Sequence, residues 1–324
     1  MELWNIYDKY RHMTEKVHER GVPIAEGDFH IVVHVWIVND KGEILIQRRQ
    51  PWKRGWPNMW DCAAAGAAVL GDSSRDAALR EAKEELGIDL DLNRGQLLFT
   101  AKFERGFDDI WLVRQNIDAS DLRLQYEEVA EAKWSNESEI REMIRRGEFI
   151  DFNYVDALFK VLNSEISLAR ADVCEAEVLL ELQKEVFKPI YEKYQDHDTS
   201  PVNQTRDKFL RKFELGDYYK VLYKDNLAGS VFVYEKAPGV MRLHIINILE
   251  EYQNRGIAQE VIWRLELLYP QAESWLLETI LTEQRNCHVY EKMGYKRNGE
   301  LKAINDRLTL VGYVKDNPSR LQEI

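Results

Sequence analysis

Apolar residues in the first half of the chain alternate with polar ones or run together in strand-sized stretches. Ile31–Val38, Glu43–Arg48 and Ile110–Asn116 read as strands, and Asn39-Asp40-Lys41-Gly42 between the first two has hairpin-turn composition. Helical spacing follows at Ser73–Leu86 with a Gly87 stop, at Asn136–Arg146 with a Gly147 stop, and at Phe152–Leu162. Around Asn163-Ser164-Glu165 the rhythm is mixed, and a new pattern then begins. Asp172–Phe187 reads as a helix, Tyr219–Tyr223 and Ser230–Tyr234 as strands around a turn at Asp225-Asn226, and Arg242–Leu249 as a strand. Gly256–Leu268 is a predicted helix, Trp275–Thr279 a strand, Asn286–Met293 a helix ending at Gly294, and Arg307–Val314 a strand. The expected organisation is two α/β domains, 1–164 and 165–324, divided near Ser164.

A length of 324 residues fits two domains, and 45% hydrophobic residues suffice for two cores. The best apolar stretch, Ile31–Val38, is interrupted by His34 and is too short for a membrane span. Met1-Glu-Leu-Trp-Asn has no basic region followed by an apolar one, so no signal peptide is expected and the cytoplasm is the predicted location. Cys62, Cys174 and Cys287 are far apart and form no paired motif, which argues against a disulfide framework or structural zinc. The net charge of −12 argues against a nucleic acid held on a broad basic face. It leaves room for small phosphorylated substrates, which need only a local basic pocket.

Residues 66–88 read GAAVLGDSSRDAALREAKEELGI. Glu81, Glu84 and Glu85 stand at i, i+3 and i+4, so they share a helix face. Three carboxylates there repel one another unless a cation lies among them, and hard oxygen ligands suit Mg²⁺ or Mn²⁺ with substrate phosphates. Arg80, four residues before Glu84, can hold that carboxylate, and Ser73 with Asp76 has capping-box spacing. The helix alone also describes an ordinary solvated one. Its register after Gly66 changes the picture, because the segment resembles the Nudix box, G-x5-E-x7-R-E-U-x-E-E-x-G-U, with U aliphatic. Gly66, Arg80, Glu81, Glu84, Glu85, Gly87 and Ile88 match it, while Asp72 stands at the first Glu and Ala82 at the aliphatic position. The resemblance implies metal ligation by Glu81, Glu84 and Glu85. Asp72, with its shorter reach, is left outside that ligand set.

Leu45-Ile-Gln-Arg-Arg49 and Lys53-Arg-Gly-Trp-Pro-Asn-Met-Trp60 look like the isopentenyl-diphosphate-isomerase-like branch of the Nudix superfamily. The resemblance implies diphosphate contacts from Arg49 and Lys53, a guanidinium fork and an ammonium. Isomerase chemistry itself is not expected. It needs a Cys before the box glycine and a His after it, and here Ala65 and Ala67 flank Gly66. Cys62 is three residues early and along a strand faces away from position 65. His30 corresponds to one metal histidine of that branch, but a lone histidine is more often structural. Metal-assisted diphosphate hydrolysis is therefore favoured. Its base is left between Glu85 and the pair Glu127-Glu128.

In the second half, Ile248-Leu-Glu-Glu-Tyr-Gln-Asn-Arg-Gly-Ile-Ala258 opens a helix. Unpaired amides at a helix start, with the helix dipole, favour a pyrophosphate, and Gly256 and Ala258 let it approach. The segment resembles the acetyl-CoA motif of GNAT acetyltransferases, (Q/R)-x-x-G-x-(G/A), through Gln253, Gly256 and Ala258. Asn286-Cys-His-Val-Tyr290-Glu-Lys-Met-Gly-Tyr295 resembles that family's N-x3-Y-x3-G-(F/Y). The resemblance implies that Ile248 and Leu249 hold the pantetheine arm and that the amides of Gln253, Asn254, Arg255, Gly256, Ile257 and Ala258 hold the pyrophosphate. Asn286 then bonds the cofactor near its reactive end, and Tyr290 protonates the leaving thiolate. Cys287 is expected to pack. Glu250, Glu251 and Glu278 are candidate bases, and Phe187–Pro201 lies at one wall of the acceptor site, read as a loop fixed by its prolines.

The favoured function is a bifunctional enzyme: Mg²⁺-dependent hydrolysis of a nucleoside-diphosphate-linked or other diphosphate, and acetyl transfer from acetyl-CoA to a small amine or peptide N-terminus. The alternative is a Nudix half that binds a nucleotide without turnover and regulates the acetyltransferase. A scaffold for a partner protein is disfavoured by the crowded carboxylate face. The implied folds are an α/β/α sandwich with a mixed sheet and a mixed, mostly antiparallel sheet flanked by helices. No membrane partner is expected, and a homodimer is allowed for.

Overall fold

The computed structural model describes residues 2–92 and 95–316. They form two compact units, one built on 2–162 with Leu267–Gln271, the other on Asn163–Glu266 with 272–316. None of the described helices is long and apolar enough to cross a membrane.

The first unit opens with the antiparallel strands β1 (Leu3–Tyr7) and β2 (Met13–Glu19). Then come β3 (His30–Val38), β4 (Ile44–Arg49), β5 (Trp60–Asp61), β6 (Ala64–Ala67), α1 (Ser74–Leu86), β7 (Gly95–Phe103), β8 (Gly106–Arg114), β9 (Val129–Ser135), α2 (Glu137–Arg145) and α3 (Val155–Leu162). The sheet order is β5-β4-β3-β8-β7, with β6 also on β3 and β9 on β4. Only the β3–β8 pair among these is parallel, so the sheet is mixed. Alternation along β3 serves two faces. Ile31, Val33, Val35 and Ile37 share a buried cluster with Ala77, Ala78, Ala82 and Leu86 of α1. Trp36 points the other way, its ring 6.2 Å from Phe149 and 6.5 Å from Tyr154, in the segment that leads into α3. Burying each large side chain contributes roughly 1.5–3 kcal/mol, so both helical layers are held to β3 by its own pattern. Cys62 lies in the break between β5 and β6, is fully buried, and donates to the Ala64 carbonyl at 3.3 Å.

The second unit contains β10 (Ile166–Arg170), α4 (Ala176–Tyr194), α5 (Arg206–Leu215), β11 (Asp217–Tyr223), β12 (Asn226–Ala237), β13 (Val240–Ile248), α6 (Ile257–Leu268), β14 (Ser274–Ile280), α7 (Gln284–Lys292), β15 (Lys296–Asn305) and β16 (Leu308–Asp316). The order is β10-β11-β12-β13-β14-β16-β15, and every pair is antiparallel except β13–β14. That pair runs only from Val240↔Ser274 to Arg242↔Leu276, while β13 continues to Ile248 and β14 to Ile280. Past this point the two strands no longer pair with each other, while β13 stays paired with β12 and β14 with β16.

One expectation fails here. The helix predicted to stop at Phe187 runs through Pro189 to Tyr194, so Phe187–Tyr194 is helix and not loop. Proline removes one N–H bond, but the last turn is held by tertiary contacts. Tyr194 is buried, its hydroxyl 2.6 Å from Thr282 Oγ1 and donating to Glu283 Oε1 at 2.7 Å, and Gln195 ends the helix at φ 53°.

Candidate functional sites

The helix α1 has fixed ends. Asp76 N–H donates to Ser73 Oγ at 3.2 Å, Ser73 N–H returns to Asp76 Oδ2 at 3.1 Å, and Gly87 closes the helix at φ 72°. Such a cap is worth about 1 kcal/mol and sets the depth of every side chain behind it. Glu85 is 4% exposed, whereas the Glu81 and Glu84 side chains are 12% and 52% exposed. Glu85 Oε2 accepts from Gln47 Nε2 at 2.8 Å and from Ala65 N–H at 3.1 Å. Burial, helped by the charges of Glu81 and Asp61, nevertheless pushes its pKa up to about 8. Burial also raises the pKa of Glu81.

Arg80 binds this face together. Its Nε donates to Asp72 Oδ2 (3.0 Å), Nη1 to Glu81 Oε1 (2.6 Å) and Glu84 Oε2 (3.2 Å), and Nη2 to the Ala67 carbonyl (2.8 Å). A Cβ on Gly66 would stand 2.2 Å from the Glu81 carboxylate, so the glycine is where that side chain folds in. Arg49 donates from Nη1 to buried Asp61 (3.1 Å) and from Nε to the Gly55 carbonyl (3.1 Å). Lys53 is ion-paired with Glu128, and burial and Arg49 lower its pKa while Glu85 and Glu81 oppose the shift. His30 is occupied structurally: Nδ1 bonds the Arg105 carbonyl at 2.9 Å and the ring stacks on Trp4 at 4.6 Å.

In the second unit the turn before α6 presents its backbone. Asn254 and Gly256 adopt φ 63° and 76°. Gln253 Nε2 donates to the Ile248 carbonyl at 2.8 Å, and Arg285 Nη1 donates to Gln253 Oε1 at 3.0 Å. Gln253, Asn254, Gly256, Ile257 and Ala258 line a cavity of about 270 Å³. Ile248, Leu249, Gln253, Ala258, Asn286 and Tyr290 line an adjoining one of about 380 Å³. Asn286 and Tyr290 also line a third, of about 330 Å³, walled by Tyr191, Tyr194, His244 and Glu278. These two residues thus stand where two cavities meet. Arg255 lines none of the three; it donates to the Glu251 carbonyl at 3.2 Å and lies over the Tyr223 ring. Burial, then Cys287, pushes the Tyr290 phenol up to about 12. Glu278 is paired with Arg242 at 3.0 Å. His244 opens onto the cleft, yet the surrounding walls, Lys212 and Arg242 push it down to about 4, so it is neutral at pH 7.

The NUDIX domain family matches residues 28–158, and the Acetyltransferase (GNAT) family matches residues 177–295. A Nudix hydrolase of Listeria innocua is 45% identical over 164 residues, 51% of this chain and 97% of the relative. The chain belongs to the Nudix hydrolase family and carries a GNAT-family domain. Its Nudix relatives include the isopentenyl-diphosphate Delta-isomerase of Paenarthrobacter aurescens, 32% identical over 97 residues, which covers 30% of this chain and 52% of the isomerase. A spermidine N-acetyltransferase structure from Vibrio cholerae, in complex with CoA and spermine, superposes with a TM-score of 0.40 at 18% identity, covering 48% of this chain and 96% of that one.

In the Nudix domain, three residues without a role in the sequence reading gain one from the geometry. Gln47 interrupts the apolar run Ile44-Leu45-Ile46, points inward and holds Glu85. Asp61 holds Arg49, and Asp72 carries the Nε edge of Arg80. As the side chains stand, no group of three carboxylate, imidazole or thiolate residues among those described is arranged to hold a metal ion. The chemistry still fits a divalent cation. A carboxylate that burial, then the charges of Glu81 and Asp61, push up to about 8 is relieved by positive charge, and Gln47 Oε1 is buried with no partner among the described residues. In the GNAT domain, the unforeseen cleft residue is His244, which sits in an ordinary strand pattern and gives no motif signal.

Proposed function

We propose that residues 1–164 hydrolyse a nucleoside-diphosphate-linked or other diphosphate with Mg²⁺ or Mn²⁺, and that residues 165–324 transfer acetyl from acetyl-CoA to an amine. The observation that supports it is that each domain gathers its motif residues at one place. The Nudix box carboxylates meet beside Arg49 and Lys53, and Asn286 and Tyr290 stand between two cavities.

For the hydrolase, Glu81, Glu84 and Glu85 would hold the metal, which supplies Lewis acidity to the phosphoryl oxygens and lowers the pKa of water. Arg80 fixes Glu81 and Glu84 in one orientation. Arg49 and Lys53 exchange Asp61 and Glu128 for phosphate oxygens. Glu85 or Glu128 takes the proton of the attacking water; Glu128 is freed for this when Lys53 turns to the substrate. For the transferase, the amides of 253–258 bind the pyrophosphate and β13 carries the arm past Ile248 and Leu249. Tyr290 keeps its proton at neutral pH and offers it to the departing sulfur. Full transfer from a phenol near 12 to a thiol near 8.5 is uphill by about 5 kcal/mol, so Tyr290 stabilises the thiolate first as a hydrogen-bond donor. The amine approaches through the third cavity, between Tyr191, Tyr194 and Glu278.

The test is one preparation assayed twice, for Mg²⁺-dependent phosphate release on a panel of diphosphates and for CoA release with a panel of amines. Absence of both activities across the panels would overturn the proposal. The regulatory alternative draws on Arg49 and Lys53 being already neutralised by Asp61 and Glu128. Mg²⁺-dependent binding without turnover, together with a change in acetyl transfer, would favour it.

A further inference from the structure

Two aromatic side chains beside the Nudix site are exposed. Trp52 is 56% and Tyr126 70% exposed, and their ring centroids lie 5.4 Å apart at 48°. They come from different loops that are joined by buried bonds. Gln50, itself 6% exposed, donates from Nε2 to the carbonyls of Tyr126 (2.7 Å) and Val129 (3.1 Å), and its N–H donates to the Glu128 carbonyl (3.0 Å). The Lys53–Glu128 ion pair crosses the same seam. The ledge is also tied to the carboxylate face, because Gln125 N–H donates to the Glu85 carbonyl at 3.0 Å and Arg123 N–H to that of Leu86 at 2.8 Å. Each ring is therefore one residue from a group anchored at the site: Trp52 precedes Lys53, and Tyr126 follows Gln125.

We infer that Trp52 and Tyr126 form a stacking ledge for the nucleobase of a nucleoside diphosphate whose phosphates reach Lys53, Arg49 and the carboxylate face. This deepens the hydrolase proposal and rests on it. Two observations choose the occupant. The neighbouring cations call for an anionic group on the same ligand. The ledge is open, and an alkyl chain gains affinity only where water is excluded from around it. A planar base stacks on one exposed aromatic face and keeps its polar edges in water.

The experiment is calorimetric titration of the full chain with Mg²⁺, in which the Trp52→Ala and Tyr126→Ala variants separate binding at the ledge from binding to the GNAT domain. The probes are α,β-methylene-ADP, methylenediphosphonate and an alkyl methylenediphosphonate, none of which is hydrolysed. The expected result is that α,β-methylene-ADP binds at least about tenfold more tightly than the other two. Trp52→Ala and Tyr126→Ala should each remove most of that factor and leave methylenediphosphonate binding unchanged, while Trp52→Phe keeps it. Thermal melts establish that the variants are folded. Equal affinity for the three probes, preference for the alkyl probe, or indifference to both alanine variants would overturn the ledge and leave the hydrolase proposal standing. No binding of any probe would overturn both.

Discussion

In the Nudix domain the groups proposed to meet phosphates are side chains, and they are already bonded to one another. Arg80 holds Glu81 and Glu84, Asp61 holds Arg49, and Glu128 holds Lys53. In the GNAT domain the groups proposed for that role are backbone amides at the start of α6, whose residues line a cavity. The difference shows two ways of preparing a site for an anion. Charged side chains left unpaired in a partly buried site are costly, so the first site is cross-neutralised, and under the proposed function it would exchange partners on binding a phosphate. Amides carry partial charge only, so they can stand at a cavity at little electrostatic expense.

Separating the two chemistries on one chain gives the largest expected effects. Glu85→Gln should lower phosphate release about 10³-fold and leave acetyl transfer unchanged. A parallel loss of both activities would show that the domains do not work independently. The same variant tests the charge balance of the first site. Glu85 titrates near 8 against an ordinary 4.5, so between those values the native state holds a proton that the unfolded chain has lost. Stability of the Nudix domain should fall as pH rises through that window, and Glu85→Gln should flatten the slope in denaturant titrations.

Tyr290→Phe should lower the turnover number for acetyl transfer about 100-fold with little change in KM for acetyl-CoA, and should spare phosphate release. A KM effect alone would make Tyr290 a wall of the cavity and not a donor.

The third effect concerns a cation in the GNAT core. Lys212 is 5% exposed, bonded to Gln183 Oε1 at 2.8 Å and surrounded by the Phe209, Tyr218 and Phe232 rings. Burial pushes its pKa down to about 7 from 10.5, so across that window the unfolded chain binds more protons and stability rises with pH. Lys212→Met should abolish the rise, add roughly 2 kcal/mol to stability at pH 7, and raise the His244 pKa followed by NMR. An unchanged His244 titration would remove Lys212 from the electrostatics of the cleft.

Smallest is Gly256→Ala. A Cβ there meets nothing nearer than Gln259 Oε1 at 3.8 Å, so the cost arises from φ 76° and not from crowding. About 1 kcal/mol of stability and a several-fold higher KM for acetyl-CoA are expected. A much larger KM effect would mean that the methyl group meets the ligand itself.

Much of this was legible in the residues because local rules govern it. The alternation of β3, the cap of α1 at Ser73, the Gly87 stop and the glycine before α6 are written within a few positions of where they act. Elements whose patterns are weak locally were not foreseen. β15 is almost wholly exposed and shows no alternation, and the last turn of α4, beyond Pro189, is tied to residues about ninety positions away.

For this protein the sequence by itself determined which residues share a helix face, where a glycine turn opens a helix, and which reaction classes follow, since those depend on spacing along one segment. Only the tertiary structure decided how deep Glu85 lies against Glu84, that Asp72 holds Arg80, that Asp61 and Glu128 occupy Arg49 and Lys53, and that Asn286 and Tyr290 stand between two cavities. The physical reason is range. Burial, ion-pair choice and strand separation are set by groups distant in sequence, and no local pattern encodes their distances.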